Sequence, residues 1–310
     1  MKSGRSLFSR IVRAVIYLVV GAAVIVGLVA AVILTMAKTR LDKRHEVKAE
    51  VVAVPSDPAT LERGRHLVVT RGCADCHGKD FGGAKVVDDP MIGQLHGPNL
   101  TRGKGGVPAD FSDADYVRAI RHGVDRTGRA FVLMPSQEYT FLSDQDLGAM
   151  IAYLKTIPAV DRERGPVTLG PLGKVLVAVG EIKLAGAEID HVAKRPASVV
   201  EGVTVEYGGY LAAGCTGCHG SNLSGGKIPG APPEWPAAAN LTPFAGTGVA
   251  QWTEQEFLAA MRTLKRPDGS QISPVMPAAF GQMTSQELSA IWLYLKSLPP
   301  TPHAKRDTQS

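Results

Sequence analysis

Two stretches of this chain, 142 residues apart, carry the same pattern: two cysteines three positions apart, with a histidine directly after the second. They are Cys73, Cys76 and His77, and Cys215, Cys218 and His219. The 310 residues contain no other cysteine, so none is left for a structural disulfide or a thiol nucleophile. The pattern sits inside a longer repeat. Met134-Pro135 matches Met276-Pro277 at the same offset, and Asn99-Leu100-Thr101 matches Asn240-Leu241-Thr242 at 141. LSDQDLGAMIAYLKTIP (142–158) matches MTSQELSAIWLYLKSLP (283–299), also at 141. Each copy therefore reads short helix, CxxCH, Gly-rich loop, NLT, helix, Met-Pro loop, final helix. Such a duplication predicts two homologous domains of about 100 residues each.

Within each copy the helices announce their own starts. Ser112 to Asp115 and Thr253 to Glu256 have the form of capping boxes opening a middle helix. Ser143 to Asp146 and Thr284 to Glu287 open the last helix in the same way. There Leu147, Met150, Ile151 and Leu154 follow helical spacing, as do Leu288, Ile291, Trp292 and Leu295. Pro158 and Pro299 stop these helices. No strand alternation stands out, so the fold class expected is all-α. Asn99 and Asn240 fit the glycosylation sequon, but their recurrence inside the repeat argues for a structural role.

The repeat does not include the N-terminal segment. Ala14 to Ala37 is an uncharged apolar run of 24 residues, long enough as a helix to span a hydrocarbon core of about 30 Å with some tilt. A cleaved signal peptide is the alternative, with Val29-Ala30-Ala31 as its cleavage site, but secretory apolar regions are usually shorter, about 7–15 residues. The expectation is a retained anchor over 11–37, preceded by a short N-terminus (1–10) and followed by a charged stalk (38–57). Lys2, Arg5, Arg10 and Arg13 before the span nearly balance Lys38, Arg40, Lys43, Arg44 and Lys48 after it, so charge alone does not orient it. The first 50 residues hold nine Lys/Arg and three Asp/Glu; the remaining 260 hold 25 and 26. The basic excess thus belongs to the N-terminal segment, and nucleic acid is not an expected partner of the body. The domains are expected at 58–160 and 201–300, joined by a strap (161–200) packed across a domain surface and followed by a tail (301–310).

The CxxCH pattern carries the chemistry. Two cysteines on one turn can add their sulfurs to the two vinyl groups of one haem, and the next histidine offers an imidazole nitrogen to the iron from below the ring. The rival readings are a four-cysteine zinc site and a redox-active dithiol. Zinc ribbons separate their pairs by about 15–20 residues, whereas 138 residues lie between Cys76 and Cys215. Neither rival requires the histidine. Two covalent haems c are therefore expected, with His77 and His219 as iron ligands. A sixth ligand is expected downstream: Met134 follows His77 by 57 residues, Met276 follows His219 by 57, and both precede a proline in a loop. His/Met ligation raises a reduction potential, because the soft thioether favours ferrous iron. Met150, Met261 and Met283 lie in or beside predicted helices and read as core filling. His66, His96 and His122 lack histidine counterparts in the second copy and read as surface or packing residues.

The CxxCH segments, the GPNLT stretch, the Met-Pro loops and the closing IAYLKTIP helix resemble class I cytochrome c modules. They are similar to those of bacterial membrane-bound dihaem cytochromes and of the cytochrome subunits of periplasmic dehydrogenases. The resemblance covers roughly 58–158 and 203–299. It implies two tandem cytochrome c-like domains, each with first and last helices crossing at a glycine, here Gly64 and Gly208, against an aromatic on the last helix, Tyr153 and Tyr294. It also implies that a proline before the NLT-like segment, Pro98, lends its carbonyl to the proximal histidine; the second copy has Ala239 there. Haem attachment outside the cytoplasmic membrane would place the N-terminus inside and the domains in the periplasm.

The function expected is single-electron transfer at the membrane. The donor would be a quinol-oxidising complex or a dehydrogenase, and the acceptor an oxidase, a reaction centre or another cytochrome. The alternatives are a permanent cytochrome subunit of a dehydrogenase or respiratory complex and, less favoured, a dihaem peroxidase, which needs an iron with a displaceable position. No catalytic residue is expected. The missing counterpart of Pro98 predicts that the two haems differ in potential.

Overall fold

The computed structural model describes residues 7–232 and 234–304. Lys2, Arg5 and the last six residues of the expected tail lie outside the described residues. The apolar run forms helix α1 (Leu7–Asp42), whose stretch Phe8–Asp42 is long and apolar enough to cross a membrane. It runs five residues beyond Ala37, into the expected stalk. No breaker intervenes there, and Lys38 pairs with Asp42 one turn on. The residues that follow lie against the first domain. The His45 amide donates to the Gly128 carbonyl (2.8 Å), Arg44 donates to the Thr127 carbonyl (2.8 Å), and Val52 is buried in the first core.

The first domain is built from α2 (Pro58–Thr70), α3 (Cys73–His77), α4 (Asp113–His122) and α5 (Asp144–Leu154). Its counterpart is built from α8 (Val205–Ala212), α9 (Thr216–His219), α10 (Glu254–Thr263) and α11 (Ser285–Ser297). The expected capping boxes are present at Ser112/Asp115, Thr253/Glu256 and Thr284/Glu287. Ser143 also caps its helix, but Asp146 does not complete the box; its carboxylate binds Arg63 instead. The helix crossing is as close as the sequence suggests. A Cβ on Gly64 would lie 1.9 Å from the Ala149 carbonyl oxygen, and one on Gly208 would lie 1.9 Å from that of Ala290. Only glycine permits that approach. Leu67, Val68, Leu147 and Ile151 fill the first core, and Tyr207, Leu211, Leu288 and Trp292 the second.

Each NLT segment closes its domain from below. Asn99 and Asn240 are buried, and each accepts from the Thr two residues on. Their amides donate to the carbonyls of Val160 (2.7 Å) and Thr301 (2.8 Å), just beyond the last helices. Burial of both asparagines accounts for the recurrence of the motif.

The all-helical expectation meets one local exception. β1 (Ala84–Asp89) and β2 (Gly93–Gly97) form an antiparallel hairpin, and β3 (Thr168–Leu169) of the strap adds to β2. The Asp89 carboxylate accepts from the Met91 and Ile92 amides and so closes the turn. The strap then forms α6 (Pro171–Val179) and α7 (Ala185–Glu188). Val177 and Ala178 of α6 bury Ala37 of α1. α7 returns to the first domain, where the Ala185 amide donates to the Phe131 carbonyl.

The domains also touch each other directly. Arg63, paired with Asp146 of its own domain (2.9 Å), reaches Glu201 across the interface (3.1 Å), and His66 reaches Glu287 (2.8 Å). The Tyr210 hydroxyl donates to Asp146 (2.7 Å) and accepts from the Ser143 amide (3.1 Å). Its ring packs against both cores.

Candidate functional site

Each CxxCH forms a single helical turn, α3 or α9, directly after the helix that crosses the last one. Glycines in the left-handed region, Gly78 and Gly220, terminate these turns. The turn leaves the histidine buried, with His77 and His219 each 7% exposed. The His77 Nδ1–H donates to the Pro98 carbonyl at 2.9 Å. The same bond in the second domain runs from His219 Nδ1–H to the Ala239 carbonyl at 2.8 Å. This corrects the inference from the missing proline, since the carbonyl is a main-chain group and alanine supplies it equally well. A difference in haem potential is therefore not carried by this contact.

With Nδ1–H engaged, Nε2 of each imidazole keeps its lone pair for a metal. Burial lowers the pKa of both histidines, and the carbonyl only partly opposes it, so each ring stays neutral, as an iron ligand must be. Burial also pushes the Cys73 thiol up to about 12 and the Cys215 thiol up to about 11. That is the reverse of the depressed thiol of a dithiol oxidoreductase. Among the described residues no group of three or more His, Cys, Asp or Glu side chains is placed to hold a metal ion. The two cysteine pairs thus do not combine into a zinc site.

In the second domain Cys215, Cys218, His219 and Met276 line one cavity of about 370 Å³. Val249, Trp252, Phe257, Ile291 and Leu295 supply apolar walls. A flat apolar ring fits this lining, which brings two sulfurs, an imidazole and a thioether to one cavity. In the first domain Cys73 and Met134 both pack against the core, together with Leu100, Phe111 and Tyr139. Met134 and Met276 each stand in the loop before a 3-10 turn, Ser136–Glu138 or Ala278–Gln282.

The remaining histidines go elsewhere. His66 lies at the domain interface, and His96 is half-buried on β2. His122 is fully buried, bonded to Glu50 (2.9 Å) and His191 (3.1 Å). That cluster fastens the segment before domain 1 and the strap to α4, a role that no repeat could signal. Sequence reasoning also missed Ala239, for the reason given above, and Arg71 and Glu138, described below.

The cytochrome c family model matches residues 61–158 and again 205–299. Among curated proteins, the chain is similar to the fructose dehydrogenase cytochrome subunit of Gluconobacter japonicus (24% identity, 80% of this chain, 56% of the relative). It is also similar to the gluconate 2-dehydrogenase cytochrome c subunit of Pantoea cypripedii (27%, 78% and 60%). A third relative is a diheme cytochrome c-type protein of Cereibacter sphaeroides (26%, 79% and 90%). The chain thus spans little more than half the length of the first two and most of the third. Each CxxCH turn, with its buried histidine, falls inside one of the two matched stretches. The chain belongs to the cytochrome c family, in a form with two domains and two covalent haems c.

Proposed function

We propose that this chain carries single electrons at the outer face of the cytoplasmic membrane and makes no bond-forming chemistry of its own. α1 would anchor it, with the N-terminus inside and domains 58–160 and 201–300 in the periplasm. The donor would be a quinol-oxidising complex or a dehydrogenase, and the acceptor an oxidase, a reaction centre or another cytochrome. The observation that carries this reading is the single cavity on which His219 and Met276 converge. Haem c, when bound, supplies a one-electron ferric/ferrous couple.

The chain's residues would do the rest. Cys73, Cys76, Cys215 and Cys218 hold the rings covalently. His77 and His219 ligate from one side, oriented by the carbonyls of Pro98 and Ala239. Met134 and Met276 would supply a second ligand to each iron and so keep substrates from it. The apolar walls exclude water and favour the less charged ferrous state. A redox titration of the full chain in detergent should resolve two one-electron steps, and both haems should reduce on mixing with a reduced donor. Peroxide-dependent oxidation of a donor at enzymatic rates would overturn the reading.

A second reading is a permanent subunit of a membrane dehydrogenase, favoured by relatives that are themselves named as dehydrogenase cytochrome subunits. Co-purification of a stoichiometric dehydrogenase in mild detergent would support it over the free carrier.

A further inference from the structure

The two domains meet at their haem-attachment turns. A Cβ on Gly217, inside the second CxxCH, would lie 2.1 Å from Glu138 Oε1 of the first domain. A Cβ on Gly72, beside the first CxxCH, would lie 3.5 Å from Ala279 of the second. Each attachment turn thus abuts the turn that follows the other domain's Met-Pro pair. Thioether bonds fix one edge of each haem at its own cysteines, so both edges border this seam.

Arg71 lies in the seam and is only 5% exposed. Its Nη1 donates to the Leu211 carbonyl of the second domain at 3.2 Å, and its Cζ stands 5.4 Å from the centre of the Phe141 ring. A Cβ on Gly214 would come within 2.7 Å of Nη1. The positive charge acts on Cys73 and on Cys215, the first cysteine of each motif. Nε and Nη2 are buried, with no hydrogen-bond partner among the described residues. A guanidinium held this way is expensive, because buried donors without acceptors forfeit their hydration. The repeat places Ala213 at the matching position of the second copy, so one arginine borders two haem sites.

We propose that Arg71 is a positioning residue shared by both haems, whose buried charge raises their two reduction potentials together. Oxidation of an iron adds one positive charge, and a fixed cation nearby makes that step less favourable. Burial keeps the effect from being screened away. Glu138 faces the second motif, at Cys215 and Cys218, with the opposite sign and tempers the effect there. The inference rests on the two covalent haems and is independent of which residues are the sixth ligands.

The test is potentiometric titration of the full chain in detergent at about pH 8, above the value of about 7 to which burial raises the Glu138 carboxyl. Covalent loading of both haems is verified first, by mass and by the pyridine haemochrome spectrum. Arg71→Gln should lower both midpoints, each by about a tenfold change in the ferrous/ferric equilibrium, or ~59 mV for one electron. Arg71→Lys, which keeps the charge, should retain most of the wild-type values. Glu138→Gln, with Arg71 in place, should raise the midpoint of the second domain's haem. A seam residue of purely structural worth would give equal shifts for Arg71→Gln and Arg71→Lys, and that result overturns the proposal. Unchanged midpoints in Arg71→Gln, or movement of one haem only in that variant, overturn it as well. Should Arg71→Gln fail to load haem, Glu138→Gln decides: no upward shift sinks the idea. Absence of covalent haem from the wild type would overturn the cofactor assignment and this proposal with it.

Discussion

At the scale of single residues, the two haem sites differ in how much of them a side-chain sequence can display. Cys73, Cys76 and His77 and their partners in the second copy were legible, because attachment to a porphyrin demands those side chains at that spacing. Met134 and Met276, the proposed sixth ligands, stand out by a shared separation from the histidine. The carbonyl of Ala239 was not, since any residue carries one and only the fold aims it at His219. Arg71 and Glu138 were hidden for another reason: they break the repeat, and their role comes from a neighbouring domain. The expected outcome at this scale concerns the sixth ligand. Met276→Ala should lower the potential of one haem and open its iron, so that about half of the ferrous haem binds carbon monoxide in a difference spectrum. Met134→Ala should do the same to the other haem, and the double variant should bind at both. Full carbon monoxide binding by the wild type at one haem would contradict the closed-iron reading.

Among the elements, helices were easier to foresee than the short strands. Ser112, Thr253 and Thr284 mark their helices because a capping side chain must satisfy a free amide at a fixed offset. β1 and β2 leave no such mark. Lys85 and Val86 are adjacent and both exposed, so the strand lacks a clean inward face, and its partners are main-chain groups. The crossing of α8 with α11 offers a sharp check. Gly208→Ala would push a methyl into the Ala290 carbonyl, a backbone group that can move only if both helices do. A loss of about 3 kcal/mol is expected, read as a drop in the melting temperature of the second domain, and Gly64→Ala should act alike on the first. A wild-type melting curve for either variant would mean that the helices are not held as closely as the coordinates place them.

At the scale of the molecule, charged groups as well as apolar surface join the domains. Asp146 accepts from Arg63 within its own domain and from Tyr210 across the interface. Asp146→Ala would leave the largely buried Arg63 guanidinium with Glu201 and Glu287 alone and remove the acceptor of the Tyr210 hydroxyl, at a cost of about 2 kcal/mol, and should separate the unfolding of the two domains in a calorimetric scan. Glu287 gives the interface a pH dependence. Burial alone would raise its carboxyl, but His66 and the Thr284 amide hold it down at about 2, against an ordinary value of 4.5. A depressed carboxyl stabilises the folded form fully above about pH 4.5 and loses that contribution as the pH falls towards 2. Melts across that range should lose about 2 kcal/mol, and Glu287→Gln should flatten the dependence; an equally steep loss in the variant would place its origin elsewhere. The bracing of α1 has a consequence of a different kind. Ala37 is clasped by α6, Asp42 is paired with Arg129, and Arg44 is bonded to the Thr127 carbonyl, so the body is fastened to its helix at several points. A body held in this way stands as a post at constant height and cannot sweep a volume as a leashed float would. If α1 lies in a bilayer, encounters become a search in two dimensions, paced by lateral diffusion and by how densely partners populate the same sheet of lipid.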